Sequence, residues 1–183
     1  AVAVGLRAGQ TTQGGSSVAI GIDAGNNNQG VNSVAIGINA GITTQGGSAV
    51  AVGVNAGNDT QGGQGVAVGR QAGQTQQGTN AVAVGYLAGK TNQATNSVAV
   101  GVNCGSSGQL AGAVAIGLQA GQTTQGTNAV AIGTNAGQGT TSGQGNNAIA
   151  IGLDAGVASQ TAGSICLNAS GVALNPNQAG YFV

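Results

Sequence analysis

The chain has 183 residues, of which 38 are glycine, one is proline and three are aromatic, and it contains no histidine, methionine or tryptophan. Its three basic and three acidic residues cancel, so it lacks the clustered positive charge that binds nucleic acids or anionic membranes. Without histidine, general acid–base catalysis loses its commonest group; we therefore expect no enzyme, no cofactor and no nucleic-acid partner.

One glycine recurs at a constant spacing along the chain. The spacing is 16 residues from Gly5 to Gly133. It is three residues longer once, between Gly133 and Gly152, and is 16 residues again between Gly152 and Asn168. The longer interval indicates a three-residue insertion between positions 137 and 144. A repeat this short cannot bury an apolar face alone and must stack on its neighbours, which predicts a solenoid. The glycines of the regular series are Gly5, Gly21, Gly37, Gly53, Gly69, Gly85, Gly101, Gly117 and Gly133.

Each repeat opens with alternating small and β-branched residues, as in Val34-Ala35-Ile36-Gly37, which is strand periodicity. An Ala-Gly pair three residues later predicts a corner, and a polar stretch follows. The sequence therefore predicts an all-β fold, a parallel β-roll or β-helix solenoid of 16-residue coils with two short strands per coil. We assign residues 1–174 to a shaft of about eleven coils and residues 175–183 to a C-terminal cap or linker.

A glutamine occurs eight residues after each repeat glycine, and the column continues once the insertion is allowed for. Identical amides stacked at about 4.8 Å hydrogen-bond along a ladder. The column predicts a structural ladder; a set of ligand contacts is the alternative. Its members are Gln13, Gln29, Gln45, Gln61, Gln77, Gln93, Gln109, Gln125, Gln144 and Gln160.

Large aliphatic residues occupy every second position of the first strand, so they form one stripe along the coils. An exposed apolar stripe on the order of 50 Å long, at about 4.8 Å per coil, indicates a subunit interface. We favour alanine, glycine and glutamine inside each coil and valine and isoleucine between subunits; the opposite assignment is the alternative. The candidate interface residues are Val34, Ile36, Val98, Val100, Val130 and Ile132.

Three residues break the repeat pattern within adjacent coils. Arg70 and Tyr86 directly follow repeat glycines, where other copies carry aliphatic residues, and Lys90 lies just beyond the next corner. A tyrosine beside two cations is able to stack on a sugar and hydrogen-bond its hydroxyls, so these are the candidate ligand-binding residues. A local variation of the interface or a snorkelling side chain is the alternative.

The remaining reactive residues indicate neither catalysis nor metal binding. Cys104 and Cys166 replace alanines of the repeat and are expected to be small buried residues. Four coils, roughly 19 Å at the ladder spacing, separate them, so they cannot form an intrachain disulfide or a metal site. Asp23 shares a column with Arg7, which predicts a surface ion pair of little energetic weight.

The segments Asn32-Ser33-Val34-Ala35-Ile36-Gly37 and Asn96-Ser97-Val98-Ala99-Val100-Gly101 resemble the head repeat of the YadA-like trimeric autotransporter adhesins. The resemblance covers nearly the whole chain. It implies a left-handed parallel β-roll assembled as a homotrimer, so a second copy of the chain is the first expected partner.

The C-terminal stretch resembles a segment of tail-fibre and surface proteins from phages and large algal viruses, where it joins a repeat shaft to an intramolecular chaperone. That resemblance implies a virion fibre used in host attachment, with a host cell-surface glycan or protein as its partner. A bacterial adhesin head at the cell surface is the alternative, and an ice-binding solenoid is a minor one. The residues concerned are Leu167-Asn168-Ala169-Ser170-Gly171-Val172-Ala173-Leu174-Asn175-Pro176 and Ala179-Gly180-Tyr181-Phe182-Val183.

The first residue of the chain and its hydropathy each lead to one further prediction. The chain opens inside a repeat at Ala1, which suggests a segment of a longer protein. No run approaches 18 apolar residues and no secretory signal opens the chain, so we expect no membrane insertion.

Overall fold

The structure, a computed structural model, describes residues 1–175 and 180–182. These residues form a parallel β-solenoid of about ten coils of about 16 residues each, and no helix occurs among them. The predicted fold class is confirmed at this level.

The strands are short, and most contain three residues. In chain order they are β1 (Val2–Val4), β2 (Val18–Ile20), β3 (Val34–Ile36), β4 (Val50–Val52), β5 (Val66–Val68), β6 (Thr75–Gln77), β7 (Val82–Val84), β8 (Thr91–Gln93), β9 (Val98–Val100), β10 (Val114–Ile116), β11 (Val130–Ile132), β12 (Gly143–Gln144), β13 (Ile149–Gly152), β14 (Ser159–Gln160), β15 (Ile165–Asn168) and β16 (Tyr181–Phe182).

Twelve strands form one parallel sheet in the order β1-β2-β3-β4-β5-β7-β9-β10-β11-β13-β15-β16. The register keeps identical positions of successive coils together, as in Val34 opposite Val50 and Ala35 opposite Ala51. Between β11 and β13 the register passes over the three-residue insertion, so that Ala131 lies opposite Ala150. Residues after Gly137 loop out before the column resumes at Gln144.

The second side of the coil is less regular than predicted. Only β6 with β8 and β12 with β14 form strand pairs there among the described residues. Most other coils meet through single-residue bridges at the glutamines, such as Gln29 with Gln45. The corner glycine before each glutamine and the turn after it leave only a short extended stretch, so the prediction of two strands per coil holds in some coils only.

Alanine fills the interior. The alanine in the middle of each first strand and the alanine at each corner have no exposed surface in nearly every coil, as with Ala35 and Ala40. The valines and isoleucines on either side of the strand alanine point outward. The inward side of the first strand is thus the alanine side, and the assignment with aliphatic side chains inside is wrong. The placement of valine and isoleucine between subunits stays a prediction. Alanine is small enough for the two sides of the coil to approach closely, so the core is thin.

The repeat position must be glycine because successive coils lie too close together there to leave room for a Cβ atom. At Gly53, φ is +130°, and a Cβ placed there would lie 2.6 Å from the carbonyl oxygen of Gly69 in the next coil. The corner glycine has a different reason: at Gly41, a Cβ would lie 3.0 Å from Cδ of Gln45. Corner glycine and ladder glutamine are therefore spatially coupled within each coil.

Two columns of left-handed backbone, which the sequence analysis did not predict, are occupied mostly by polar residues, with Leu87 as an exception. One column lies two residues after the repeat glycine and includes Asn39 and Asn55, with φ of 58° and 57°. The other precedes the strand by two residues and includes Asn80 and Asn96. Asparagine and aspartate tolerate this conformation better than most residues. Their recurrence in these two columns is the feature of the sequence from which the left-handed backbone could have been predicted.

The C-terminal residues continue the solenoid. Leu174 bridges to Ala155, and β16 pairs in parallel with β15, placing Tyr181 opposite Ile165. Of the predicted cap or linker 175–183 and the C-terminal resemblance that overlaps it, residues 176–179 and 183 lie outside the described part of the chain.

Candidate functional site

The outward side chains of the first strands form what we term the aliphatic face. The residue after each repeat glycine lies just beyond the strand end and forms a border column beside this face. Side chains of both sets are well exposed in several coils; Ile20 of the face is 38 % accessible and Ile38 of the border column is 46 % accessible. Because the sheet is parallel and in register, these side chains stack into columns that run the length of the solenoid. The border column is interrupted at Arg70, Tyr86 and Thr134.

All six candidate interface residues lie on the aliphatic face. Four of them are half-buried, whereas Ile36 and Ile132 are exposed. The structure thus brings these residues onto one surface of the solenoid. They are Val34, Ile36, Val98, Val100, Val130 and Ile132.

The glutamine column crosses the interior and ties the two sides of the coil together. In a typical coil, Gln45 Nε2 donates to the carbonyl oxygen of Val34 at 2.7 Å and to Oε1 of Gln61 at 3.1 Å. Nine members are buried, and Gln13 at the N-terminal coil is partly exposed. Amides that are buried and have partners inside the coil and in the next coil stabilise the fold, and their side chains expose almost no surface.

The ladder is interrupted at two points. Gln61 Nε2 donates to the carbonyl oxygens of Val50 and Gly65, and Gln77 Oε1 has no donor among the described residues. The same holds for Gln29 Oε1. Gln29 and Gln77 each still donate Nε2 to a strand carbonyl oxygen. The hydrogen bond between the two sides of the coil is therefore present in these coils as well.

Arg70 and Tyr86 are brought together by the constant register between coils. The guanidinium carbon of Arg70 lies 5.7 Å from the centre of the Tyr86 ring, which is within cation–π distance. Tyr86 is 42 % exposed and Arg70 is exposed. Lys90 lies beyond the corner glycine, and no hydrogen bond, ion pair or cation–π contact joins its side chain to this pair among residues 1–175 and 180–182.

The only ion pair within those residues joins Arg7 Nη2 to Asp23 Oδ2 at 2.6 Å. Asn26 Nδ2 also donates to Asp23 Oδ1, at 2.9 Å. The Arg7 side chain is about half exposed, so solvent screens the pair and its contribution to stability is small. Arg70, in contrast, forms no ion pair within the described part of the chain and lies next to an aromatic ring.

The side of the solenoid opposite the aliphatic face carries a groove that the sequence analysis missed. It is shallow and largely open to solvent, with a volume of about 650 Å³, and we term it the second-face groove. One signal was present in the sequence: position 110 is leucine where the equivalent residues of the preceding coils are glycine or alanine. The lining includes Thr60, Gln76, Gln77, Asn92, Thr95 and Leu110.

A second cavity, of about 640 Å³, lies at the C-terminal end of the aliphatic face. It is mostly apolar and is lined by residues of β13 and β15 and by the loop that follows β15, among them Ile151, Leu167, Val172 and Leu174.

Both cysteines are buried, and neither forms a disulfide. Burial raises the pKa of the Cys104 thiol to about 12 and raises the pKa of the Cys166 thiol. Thiols that stay protonated at neutral pH are poor nucleophiles and poor metal ligands. Within residues 1–175 and 180–182, no three His, Cys, Asp or Glu side chains cluster as a metal site would require.

Comparison with known proteins adds no relative: no family model, no curated protein and no solved structure matches this chain. In the described part of the chain, no helix has the length and apolar character needed to cross a bilayer.

Proposed function

We infer that this protein is a segment of a fibre that assembles from three identical chains through the aliphatic face. The observation that carries this inference is the face itself, in which columns of exposed valine, leucine and isoleucine run along about ten coils. Apolar surface of that extent is unusual on a monomer and marks an interaction site. Repeating columns suit a partner with the same repeat, and another copy of the chain has it. Three-fold symmetry and a left-handed coil are taken from the resemblance to YadA-like head repeats.

The role we propose for this fibre is host attachment on the surface of a virion or in its tail fibre. The resemblance of the C-terminal stretch to viral fibre proteins supports this assignment over a bacterial adhesin head, which remains the alternative. A solenoid with a thin alanine core suits a fibre, because it gives length with few residues per coil.

Sedimentation equilibrium of the purified chain at micromolar concentration tests the assembly. We expect three times the 17.0 kDa mass of one chain at all loading concentrations. The mass of a single chain would rule out the assembly, and the mass of two chains would rule out the three-fold arrangement while keeping the aliphatic face as an interface.

For the receptor, we propose cell-surface carbohydrate contacted by Arg70 and Tyr86, with Lys90 nearby. The Arg70 guanidinium lies within cation–π distance of the Tyr86 ring, and the pair offers an aromatic surface, a hydroxyl and a cation. Both residues lie in the border column, outside the strand residues proposed for the subunit interface. A trimer therefore presents this group three times, and weak individual sites act together through avidity.

Replacement of Tyr86 by alanine tests this site. Because the ring supplies the stacking surface, Tyr86→Ala is expected to weaken adhesion of the trimer to host cell-wall material by about tenfold or more. Val54→Ala is the matched control, since Val54 is 40 % exposed in the same column. Adhesion, sedimentation mass and melting temperature are measured for both variants.

Two results would contradict the receptor site. Unchanged adhesion of the Tyr86→Ala trimer would make this part of the fibre a spacer. A fall in mass or melting temperature well beyond that of Val54→Ala would place Tyr86 in the subunit interface.

A further inference from the structure

The second-face groove lies where the proposed assembly leaves the solenoid accessible. The ladder glutamines reach from the second side of the coil to carbonyl oxygens of the first strands, as Gln77 does to Val66 at 2.9 Å. The groove and the aliphatic face are therefore on opposite sides of a thin coil. When the aliphatic face is buried between subunits, the groove remains open to solvent.

Four polar side chains of the groove have no hydrogen-bond partner among the described residues. They are exposed, and they belong to Thr60, Gln76, Asn92 and Thr95. Elsewhere on the solenoid, amides of successive coils pair with each other: Asn80 Nδ2 donates to Asn96 Oδ1 at 3.2 Å. Gln76 and Asn92 also hold equivalent positions in successive coils, yet their amides are not joined, so both have free donors and acceptors.

The backbone of this groove departs from that of the coils just before it. Gln76 and Asn92 adopt φ of 55° and 53°, and Gly108 in the next coil adopts 73°. Thr44 and Thr60, the two preceding members of the same column, do not have positive φ, whereas Asn28 before them does, at 65°. The backbone at Gln76 and Asn92 therefore differs from that of the two coils just before the groove, although left-handed glutamines also occur elsewhere on the solenoid, as at Gln64.

Leu110 supplies an apolar surface at one end of the groove. Its equivalents in earlier coils are Gly62, Gly78 and Ala94, whereas Leu110 is 41 % exposed. The groove thus combines free amides and hydroxyls with one aliphatic side chain, and no charged residue is among its described lining residues.

From these features we propose that the second-face groove binds a neutral oligosaccharide. Sugar hydroxyls donate to and accept from amides and hydroxyls, and a C–H face of a sugar ring packs on an aliphatic side chain. An acidic saccharide finds no cation among the described lining residues. The inference rests on the proposed role in attachment and names a receptor site separate from Arg70 and Tyr86.

The test is binding of the purified full chain to hexasaccharides by isothermal titration calorimetry. The neutral probes are cellohexaose, laminarihexaose, mannohexaose and chitohexaose, and hexagalacturonic acid is the acidic probe. We expect at least one neutral probe to bind with a Kd below about 1 mM, the range of weak specific binding, and more tightly than the acidic one.

The variant Gln76→Gly with Asn92→Gly removes both amides, and glycine keeps the left-handed backbone without strain. We expect it to weaken binding at least tenfold, and Leu110→Ala to weaken it severalfold. Gln64→Gly is the matched control, because Gln64 is also an exposed glutamine with positive φ, of 56°, but does not line the groove. It should bind as the parent does, and all variants should keep the parent mass and melting temperature.

The failures of the two proposals are distinguishable. If no neutral probe binds, or if the groove variants bind as the parent does, the groove site is wrong. Adhesion to host material that persists in the groove variants but is lost in Tyr86→Ala would then leave the proposed attachment role intact. If the parent shows neither adhesion nor saccharide binding, both the attachment role and the groove site are overturned.

Discussion

The substitution Gly53→Ala is expected to lower the melting temperature of the protein by about 10 °C. The new Cβ would lie 2.6 Å from the carbonyl oxygen of Gly69 and 2.8 Å from its carbonyl carbon. Both are backbone atoms held in the ladder between coils, so neither moves without separating the coils. Alanine is also strained at a φ of +130°. Strain and clash together cost about 3 kcal/mol or more, which corresponds to about 10 °C for a chain of this size.

The matched control is Gly47→Ala, a few positions earlier in the chain. Gly47 has no positive φ, and its nearest neighbours would be atoms of Val31 at 3.6 Å, an ordinary contact. Alanine there reduces the freedom of the unfolded chain, so the melting temperature is expected to stay level or to rise, with a gain of about 0.5 kcal/mol. Thermal melts followed by circular dichroism measure both variants. Equal melting temperatures would show that the close approach of coils does not explain the periodic glycine.

The double variant Val98→Asp with Val100→Asp is expected to reduce the sedimentation mass from three chains to one. In the single chain both valines are half-buried on the outer side of β9, so carboxylates there remain hydrated and the solenoid still folds. In the proposed trimer, six carboxylates would face an apolar interface without partners. Their desolvation costs several kcal/mol each, more than the interface is able to offset.

Thr11→Asp with Ser107→Asp is the control for this variant, because it adds the same charge at exposed positions on the second side of the coil. Its mass is expected to match that of the parent. A Val98 and Val100 variant that stays trimeric would remove the aliphatic face from the subunit contact.

The solenoid could be predicted from the sequence because so short a period leaves few ways to bury a side chain. The pairing of Arg7 with Asp23 was also predictable, since equal positions in adjacent coils become neighbours. Which side of the first strand faces inward was open, because alanine and valine alternate there and both are apolar. The burial of Ala35 and its equivalents follows from the space between the two sides of the coil, a property of the folded chain.

The second-face groove was not predicted from sequence for a similar reason. Thr60, Gln76 and Asn92 are ordinary members of a variable polar column, and nothing in their identity shows that their side chains lack partners. Leu110 was visible as an exception to a column of small residues, but its exposure depends on the local path of three coils. The sequence predicted that Arg70 and Tyr86 lie near each other in adjacent coils, but not the position of the guanidinium over the ring, because packing sets the side-chain conformations.

The constant register limits how the length of such a solenoid changes. Duplication or loss of one repeat moves every column by one coil and leaves all inter-coil hydrogen bonds equivalent, so the shaft lengthens or shortens in steps of about 4.8 Å. Any other insertion must be expelled as a loop, as the insertion between Gly137 and Gln144 is, with the ladder resuming at Gln144. Solenoid length in this architecture is therefore quantised, and a gene encoding it is able to change the length of the solenoid without altering its cross-section.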